Sequence, residues 1–239
     1  MAQYIYGRNA IKVHLENQSS FEKIYIQKGF KDPELLTLIG TDSKLEVVDK
    51  EVLDRLSNNG VHQGIIAQVK DYQTIGLNEL LKKIKNVKNP ILVMLDGIED
   101  PQNFGAILRT CEATGVSGVI IGEHRSAPLS AVTAKAAAGA IEFVNVSKVT
   151  NLTRTLVELK KLGYWIVGAA LNEVAVDFQT IDYNSPLVLV IGAEGKGISR
   201  LVLENCDFIA KIPMVGKINS LNASVATGVM LYQILKARS

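Results

Sequence analysis

An α/β protein is predicted, in which a mostly parallel sheet covered by helices on both faces follows a small mixed α/β unit. Three observations predict it. From Asn89 onward, apolar runs of strand length alternate with helix-like segments, the pattern of parallel strands joined by crossover helices. The first 70 residues hold shorter, mixed elements that end at a polar connection over Asp71–Gly76. A chain of 239 residues with 47% hydrophobic content can also bury two cores.

The elements follow in order. In residues 1–70, helices are expected at Arg8–Leu15, Pro33–Ile39 and Glu51–Leu56, and strands at Lys23–Ile26, Leu45–Val48 and Ile65–Val69. Residues 71–89 form a linker and a short amphipathic helix. There Leu77, Leu80, Leu81 and Ile84 keep the i, i+3, i+4, i+7 spacing, with lysines on the other side. Residues 90–239 make the large domain. Its strands are Ile91–Leu95, Gly118–Ile121, Phe143–Val146, Trp165–Ala169, Leu187–Ile191 and Phe208–Ile212. Helices lie around Gly105–Thr114, Ser130–Ala138, Leu152–Leu162 and Ser199–Glu204, and the last runs from about Leu221 to Lys236. Its first half is rich in small residues, Ala223, Ser224, Ala226, Thr227 and Gly228, which let another backbone approach closely.

Composition narrows the function classes. The longest apolar stretches are strand-length, too short to span a bilayer, and the start is polar by its third residue, unlike a signal peptide. Cys111 and Cys206 are isolated, which suits a reducing cytoplasm. The three histidines, His14, His62 and His124, have no metal-ligand spacing, so no metal is expected. Net charge is +2, and the excess sits where residues 73–90 carry 4 Lys/Arg against 1 Asp/Glu. That balance permits a nucleic-acid partner, but a lysine run of this kind is more often a solvated helix face, and charge alone does not make the case.

Three polar blocks, each directly after a strand-like run, carry the chemistry. They are Asp96-Gly97-Ile98-Glu99-Asp100-Pro101-Gln102-Asn103-Phe104-Gly105-Ala106-Ile107-Leu108-Arg109-Thr110, then Ile191-Gly192-Ala193-Glu194-Gly195-Lys196-Gly197, then Ile212-Pro213-Met214 continuing to Asn219-Ser220-Leu221-Asn222-Ala223-Ser224. Loops at the carboxyl ends of strands are where ligands collect in an open α/β sheet. The glycine block is not a dinucleotide fingerprint, which belongs in the first βα turn, nor does it match the phosphate loop. Asn103 by itself could cap its helix. Arg109 by itself could be any exposed helical arginine. Cys111 shares an apolar face with Ile107 and Leu108 and has no histidine nearby in sequence, which favours a core cysteine over a nucleophile. Ser220 lacks the Gly-x-Ser-x-Gly elbow of a hydrolase and could cap the last helix.

In order, strand context and spacing, the three blocks resemble the motifs of the SpoU/TrmH branch of the SPOUT methyltransferases, over roughly residues 90–237. Tyr6-Gly7-Arg8-Asn9-Ala10 and Val61-His62-Gln63-Gly64 resemble the ribosomal-protein-like RNA-binding domain that precedes the catalytic domain in bacterial ribose methylases. The resemblance implies a C-terminal deep trefoil knot, an exception to the usual absence of knots, a homodimer, and S-adenosyl-L-methionine (AdoMet) bent into the knot. It implies methyl transfer to a ribose 2′-hydroxyl of RNA, with a guanosine of 23S rRNA the nearest likeness. It places Asn103, Arg109, Glu194, Ser220 and Asn222 in the catalytic pocket. AdoMet would rest on Ala169, Gly192, Gly195, Ile212, Met214, Leu221 and Asn222. Arg8, Lys12, Gln63 and Gly64 are the expected RNA contacts. The role of Arg109 stays open between a general base and an oriented cation. A tRNA ribose methylase, a drug-resistance rRNA methylase, and a catalytically silent RNA-binding or ribosome-assembly protein are the alternatives.

Overall fold

The computed structural model describes residues 3–16, 21–40, 44–69, 72–217 and 220–239; Asp71 of the expected connection and Asn219 of the third block lie outside them. The chain divides into two compact units, Met1–Tyr72 and Gln73–Ser239. Among the described residues no helix is long and apolar enough to cross a membrane.

The first unit runs β1 (Gln3–Tyr6), α1 (Arg8–Glu16), β2 (Lys23–Gln27), α2 (Pro33–Ile39), β3 (Leu45–Val48), α3 (Lys50–Leu56) and β4 (Ile65–Val69). Its sheet order is β1-β4-β2-β3, antiparallel except for β2 with β3. Alternating burial in β2 sends Ile24 and Ile26 into a core with Ile11, Leu35, Ile39 and Ile65. Asp32 caps α2, accepting the Leu35 N–H at 3.1 Å, and Pro33 sits at the first helical position, where its missing N–H costs nothing. β1 was not among the expected strands. It is four residues long, and pairing with β4, Gln3 opposite Val69, makes it a strand.

The second unit runs α4 (Leu77–Ile84), β5 (Ile91–Asp96), α5 (Pro101–Ala113), β6 (Gly118–Gly122), α6 (Ala131–Ala136), β7 (Val146–Val149), α7 (Leu152–Lys161), β8 (Trp165–Ala169), β9 (Val176–Asp177), β10 (Leu187–Gly192), α8 (Arg200–Leu203), β11 (Phe208–Lys211) and α9 (Ala223–Arg238). Every strand pair in its seven-stranded sheet, ordered β7-β6-β5-β10-β8-β11-β9, is parallel. The expected parallel α/β architecture is therefore present. β5 is buried along its whole length, as a central strand covered on both faces should be. α4 lies in this unit's core: Leu80 is fully buried, and a Cβ on Gly118 would come within 2.5 Å of its side chain.

Two expected elements shift. The strand placed at Phe143–Val146 is found at Val146–Val149, with Val146 opposite Val119. Ala138 (φ 48°) and Gly139 (φ 91°) turn the chain out of α6 into a 3-10 helix over Ala140–Glu142. Phe143 is left 76% exposed, so the chain reaches the sheet only three residues later. α5 begins at Pro101 rather than Gly105, because Asp100 accepts the N–H groups of Gln102 and Asn103. Asn103 is therefore not the cap.

At the other end of the unit, Arg238 ties three carbonyls together. Its Nε donates to Tyr183 O at 2.7 Å, Nη1 to Asn89 O at 2.5 Å and Nη2 to Ser185 O at 2.6 Å. Arg238→Ala should cost about 2 kcal/mol through loss of charge-assisted bonds, a fall of roughly 4–8 °C in Tm. Thermal unfolding followed by circular dichroism checks this, and an unchanged Tm would show that water replaces all three bonds.

Candidate active site

The carboxyl ends of β5, β10, β8 and β11 open on one side of the sheet, and the loops that follow them meet there. Those after β8, β10 and β11, with the start of α9, surround a pocket of about 560 Å³. The walls include Ala169 and Ala170 after β8, Gly192–Gly197 after β10, Ile212 and Met214 after β11, and Ser220, Leu221 and Ala226 at the entrance to α9.

Glycine is required in the β10 loop for two reasons. A Cβ on Gly192 would lie 2.1 Å from Gly197 C and 2.3 Å from Ile198 N, closer than atoms can approach. The loop folds back on itself there, with Ala193 N–H donating to Gly197 O at 3.1 Å and Gly197 N–H to Ala193 O at 2.8 Å. Gly195 and Gly197, at φ 75° and 66°, take the left-handed conformation that closes this turn. Asp96, buried at the end of β5, accepts the Ser199 N–H at 2.7 Å and anchors the far side of the loop.

Side chains from the first and third blocks converge on Glu194 of the second. Its Oε1 accepts from Asn103 Nδ2 at 3.1 Å, from Asn222 Nδ2 in a short contact, and from Ala223 N–H at 3.3 Å. Asn222 Nδ2 also donates to Asn103 Oδ1 at 2.8 Å. The Oδ1 of Asn222 caps α9, accepting from Ser224 N–H at 2.9 Å and Val225 N–H at 3.3 Å. One asparagine thus starts the last helix and cross-links the first two blocks. Ser220 is not the cap; it is exposed at the pocket wall. With all donors on Oε1, the second carboxylate oxygen of Glu194 has no partner among the described residues.

Of the residues expected around a cofactor, Ala169, Gly192, Gly195, Ile212, Met214 and Leu221 line the pocket. Asn222 stands beside it through Glu194. Arg109 is not brought in. It is exposed on α5, six residues beyond Asn103 and so on a different face of the helix, and it has no hydrogen bond or ion pair among the described residues. Cys111 is fully buried, and burial raises its thiol pKa far above the ordinary range, so it is a core residue. In the first unit, Arg8, Gln63 and Gly64 line one pocket, whereas Lys12 pairs with Glu34 outside it. From the sequence, Asp96, Leu171, Lys196 and Lys211 had no assigned role, and Ala226 was expected only on the small-residue face of the last helix. Asp96 carried a usable signal, as the single acid ending an otherwise apolar strand. The others become wall residues only through folding.

Comparison with known proteins agrees over both units. Residues 90–232 match the SpoU rRNA Methylase family, and residues 4–75 match the family described as RNA 2′-O ribose methyltransferase substrate binding. A Staphylococcus haemolyticus protein assigned to the TrmH family of tRNA/rRNA methyltransferases is 43% identical, over 98% of this chain and 95% of its own length. The A. aeolicus TrmH/SpoU tRNA modifying enzyme is 34% identical, covering 67% of this chain and 84% of its own, with a TM-score of 0.57. The SpoU methyltransferase AviRb from Streptomyces viridochromogenes, solved with the cofactor AdoMet, shares the fold at a TM-score of 0.65 and 21% identity, over 99% of this chain and 90% of its own. A family model spanning more than half of the residues, and a full-length relative at this identity, bear out the resemblance seen in the motifs: the chain belongs to the SpoU/TrmH family of RNA methyltransferases.

Proposed function

We propose that this chain transfers the methyl group of AdoMet to a ribose 2′-hydroxyl of RNA, with a guanosine of 23S rRNA as target, and that it works as a homodimer. The observation that carries the reading is the cluster of Asn103, Glu194 and Asn222, one from each block, at the mouth of the strand-end pocket. The pocket suits AdoMet. Its volume is that of a small-molecule site, its walls include three glycines in the β10 loop and several alanines, and Ile212 and Leu221 offer apolar surfaces to an adenine ring. AdoMet supplies a methyl group activated by a positively charged sulfonium.

The protein's task is to align the 2′-hydroxyl with that methyl and to favour charge as it develops on the oxygen. Asn103 and Asn222 hold the Glu194 carboxylate in one orientation, which leaves its second oxygen to accept a hydrogen bond from a bound ligand. Guanidinium groups in proteins stay protonated, so Arg109 is assigned as a cation that orients the hydroxyl and its neighbouring phosphate. Its separation from its own chain's pocket is what a site shared between two subunits would produce. The exposed apolar stripe of Val225, Tyr232 and Leu235 on α9 supports such a pairing. Ser220, at the pocket wall, is assigned to ligand contact. A trefoil knot is part of the same reading, supported by the passage of the chain into α9 directly against the β10 loop, where Ala223 bonds Glu194.

The preceding unit, matched over residues 4–75, supports a large structured RNA as substrate. The likeness to a tRNA modifying enzyme keeps tRNA as the second reading. Mass-spectrometric mapping of ribose methylation in 23S rRNA and tRNA, from cells with and without the gene, decides between them. One guanosine of 23S rRNA should lose its methyl group when the gene is deleted. Loss confined to tRNA would overturn the rRNA assignment, and no loss in either would overturn the reaction.

A further inference from the structure

We propose that the loop over Gly60–Gly64 in the first unit, together with Arg8 and Lys50, forms a preorganised pocket for one unstacked RNA nucleotide, and that His62 is the residue that positions it. The inference rests on the reading of this unit as the RNA-substrate unit. Two segments far apart in sequence build the pocket. Gly7 N–H donates to Ile65 O at 3.3 Å, and Arg8 N–H donates to the side-chain Oε1 of Gln63 at 2.9 Å. Gly7, at φ 92°, permits this approach; a Cβ there would already stand 3.4 Å from Gln63 Oε1 and 3.7 Å from Val61 O. The depression they line is open to solvent and measures about 680 Å³.

The loop is held in a costly conformation. Asn58, Asn59 and Gln63 have φ of 53°, 61° and 53°, left-handed values that non-glycine residues seldom adopt. Such strain persists only where the surroundings over-determine it. Here buried Ser57 donates to Leu53 O at 2.9 Å, and His62, 6% exposed, links the two ends. Its Nδ1 accepts the Gly64 N–H at 3.1 Å, which leaves the ring proton on Nε2, 2.9 Å from Asp54 Oδ1.

This framework buries its own polar groups and turns a specific set outward. Val61 is 82% exposed, far more than packing within the unit would leave a valine. The oxygen of the Gln63 amide is occupied by Arg8 N–H, so its Nε2 is presented as a donor with no described partner. Lys50 is exposed and unpaired among the described residues. The Arg8 guanidinium lies 5.0 Å from the centre of the Phe30 ring and 3.4 Å from Asp32, with its side chain still 45% exposed. An apolar contact, a fixed amide donor and two cations match a nucleotide: a base against Val61, its acceptor edge to Gln63 Nε2, and phosphates at Lys50 and Arg8. Sequence-selective RNA binding targets such splayed-out bases, while phosphate contacts set the register.

The test uses the full chain with 23S rRNA from cells lacking the gene and, in a second arm, bulk tRNA. Filter binding over a series of salt concentrations is measured alongside steady-state methyl transfer. Gln63→Glu keeps the shape and the contact to Arg8 but removes the donor; it should weaken RNA binding and raise the RNA KM about tenfold or more. Lys50→Ala should weaken binding about threefold to tenfold and flatten its salt dependence. In both, kcat and AdoMet affinity should hold. His62→Ala should raise the RNA KM and speed hydrogen exchange at the Gly64 amide, and His62→Asn, whose Oδ1 can take that N–H, should recover most of the loss. Wild-type RNA affinity in both Gln63→Glu and Lys50→Ala would overturn the pocket. Failure of the wild-type chain to methylate ribose would instead overturn the assigned reaction, with the pocket still judged by binding.

Discussion

Arg109→Ala and Arg109→Lys will each slow methyl transfer by about a hundred- to a thousandfold, the cost of removing one oriented donor from a developing oxyanion, with AdoMet affinity essentially unchanged. The split follows from geometry. Arg109 lies on α5, outside the pocket lined by the loops after β8, β10 and β11, so nothing that would hold AdoMet is disturbed. Lysine keeps the charge but loses the planar fork that can hold a hydroxyl and a phosphate together. Single-turnover transfer with saturating RNA isolates this step from binding. If lysine restores most of the rate, Arg109 acts as a simple charge; if alanine barely slows it, the residue has no part in the reaction. The same variant tests whether the site is shared. Mixing inactive Arg109→Ala chains with inactive Glu194→Ala chains should restore roughly a quarter of the wild-type rate in a randomly paired dimer whose arginine serves its partner. No recovery would place Arg109 with its own chain's pocket.

Gly192→Ala is expected to be as damaging, by a different route. The added methyl group would fall 2.1 Å from Gly197 C and 2.3 Å from Ile198 N, and neither backbone atom can turn aside as a side chain can. The whole segment carrying Glu194 and Lys196 must move by an ångström or so, a misplacement that costs about a hundredfold in rate. Because that segment also walls the pocket, AdoMet binding should weaken in parallel, unlike in the Arg109 variants. Gly195→Ala is the control. Its φ of 75° makes alanine strained, but a Cβ there meets nothing within 4 Å, so the loop can keep its place and the loss should be about tenfold or less. Calorimetric titration with AdoMet separates the two glycines, and wild-type affinity in Gly192→Ala would mean the turn is not needed to form the pocket.

The sequence disclosed most where local chemistry and burial agree. Ile91–Asp96 and Leu187–Gly192 are central strands whose apolar runs coincide with their buried lengths, so their positions and the loops after them could be read directly. Ala169, Gly192, Gly195, Ile212 and Met214 were readable for the same reason, since each ends a strand or closely follows one. Phe143–Val146 misled because an apolar run does not distinguish a strand from a turn that leaves Phe143 in solvent. Asp100-Pro101, an N-cap followed by a first-turn proline, was a better start signal for α5 than Gly105. Contacts between distant residues could not be read at all. Nothing near Asn103 in sequence announces Asn222, 119 residues away, and nothing near Asp96 announces Ser199.

The position of β10 in the sheet bears on how the protein is made. It lies between β5 and β8, both of which leave the ribosome before it. Leu187 must find Ile91, about 100 residues upstream, an interval of some 5–20 s at ordinary rates of synthesis. Throughout that time β5 waits with its inner edge unpaired, joined by β8 only for about the last 1–4 s, and both are open to sticking to other nascent chains; β10 must then insert between them rather than add at the rim. All strand pairs of the first unit, by contrast, lie within residues 3–69 and can close early. Synthesis therefore yields a finished N-terminal unit attached to a sheet whose centre stays open until β10 emerges, with β11 still to follow.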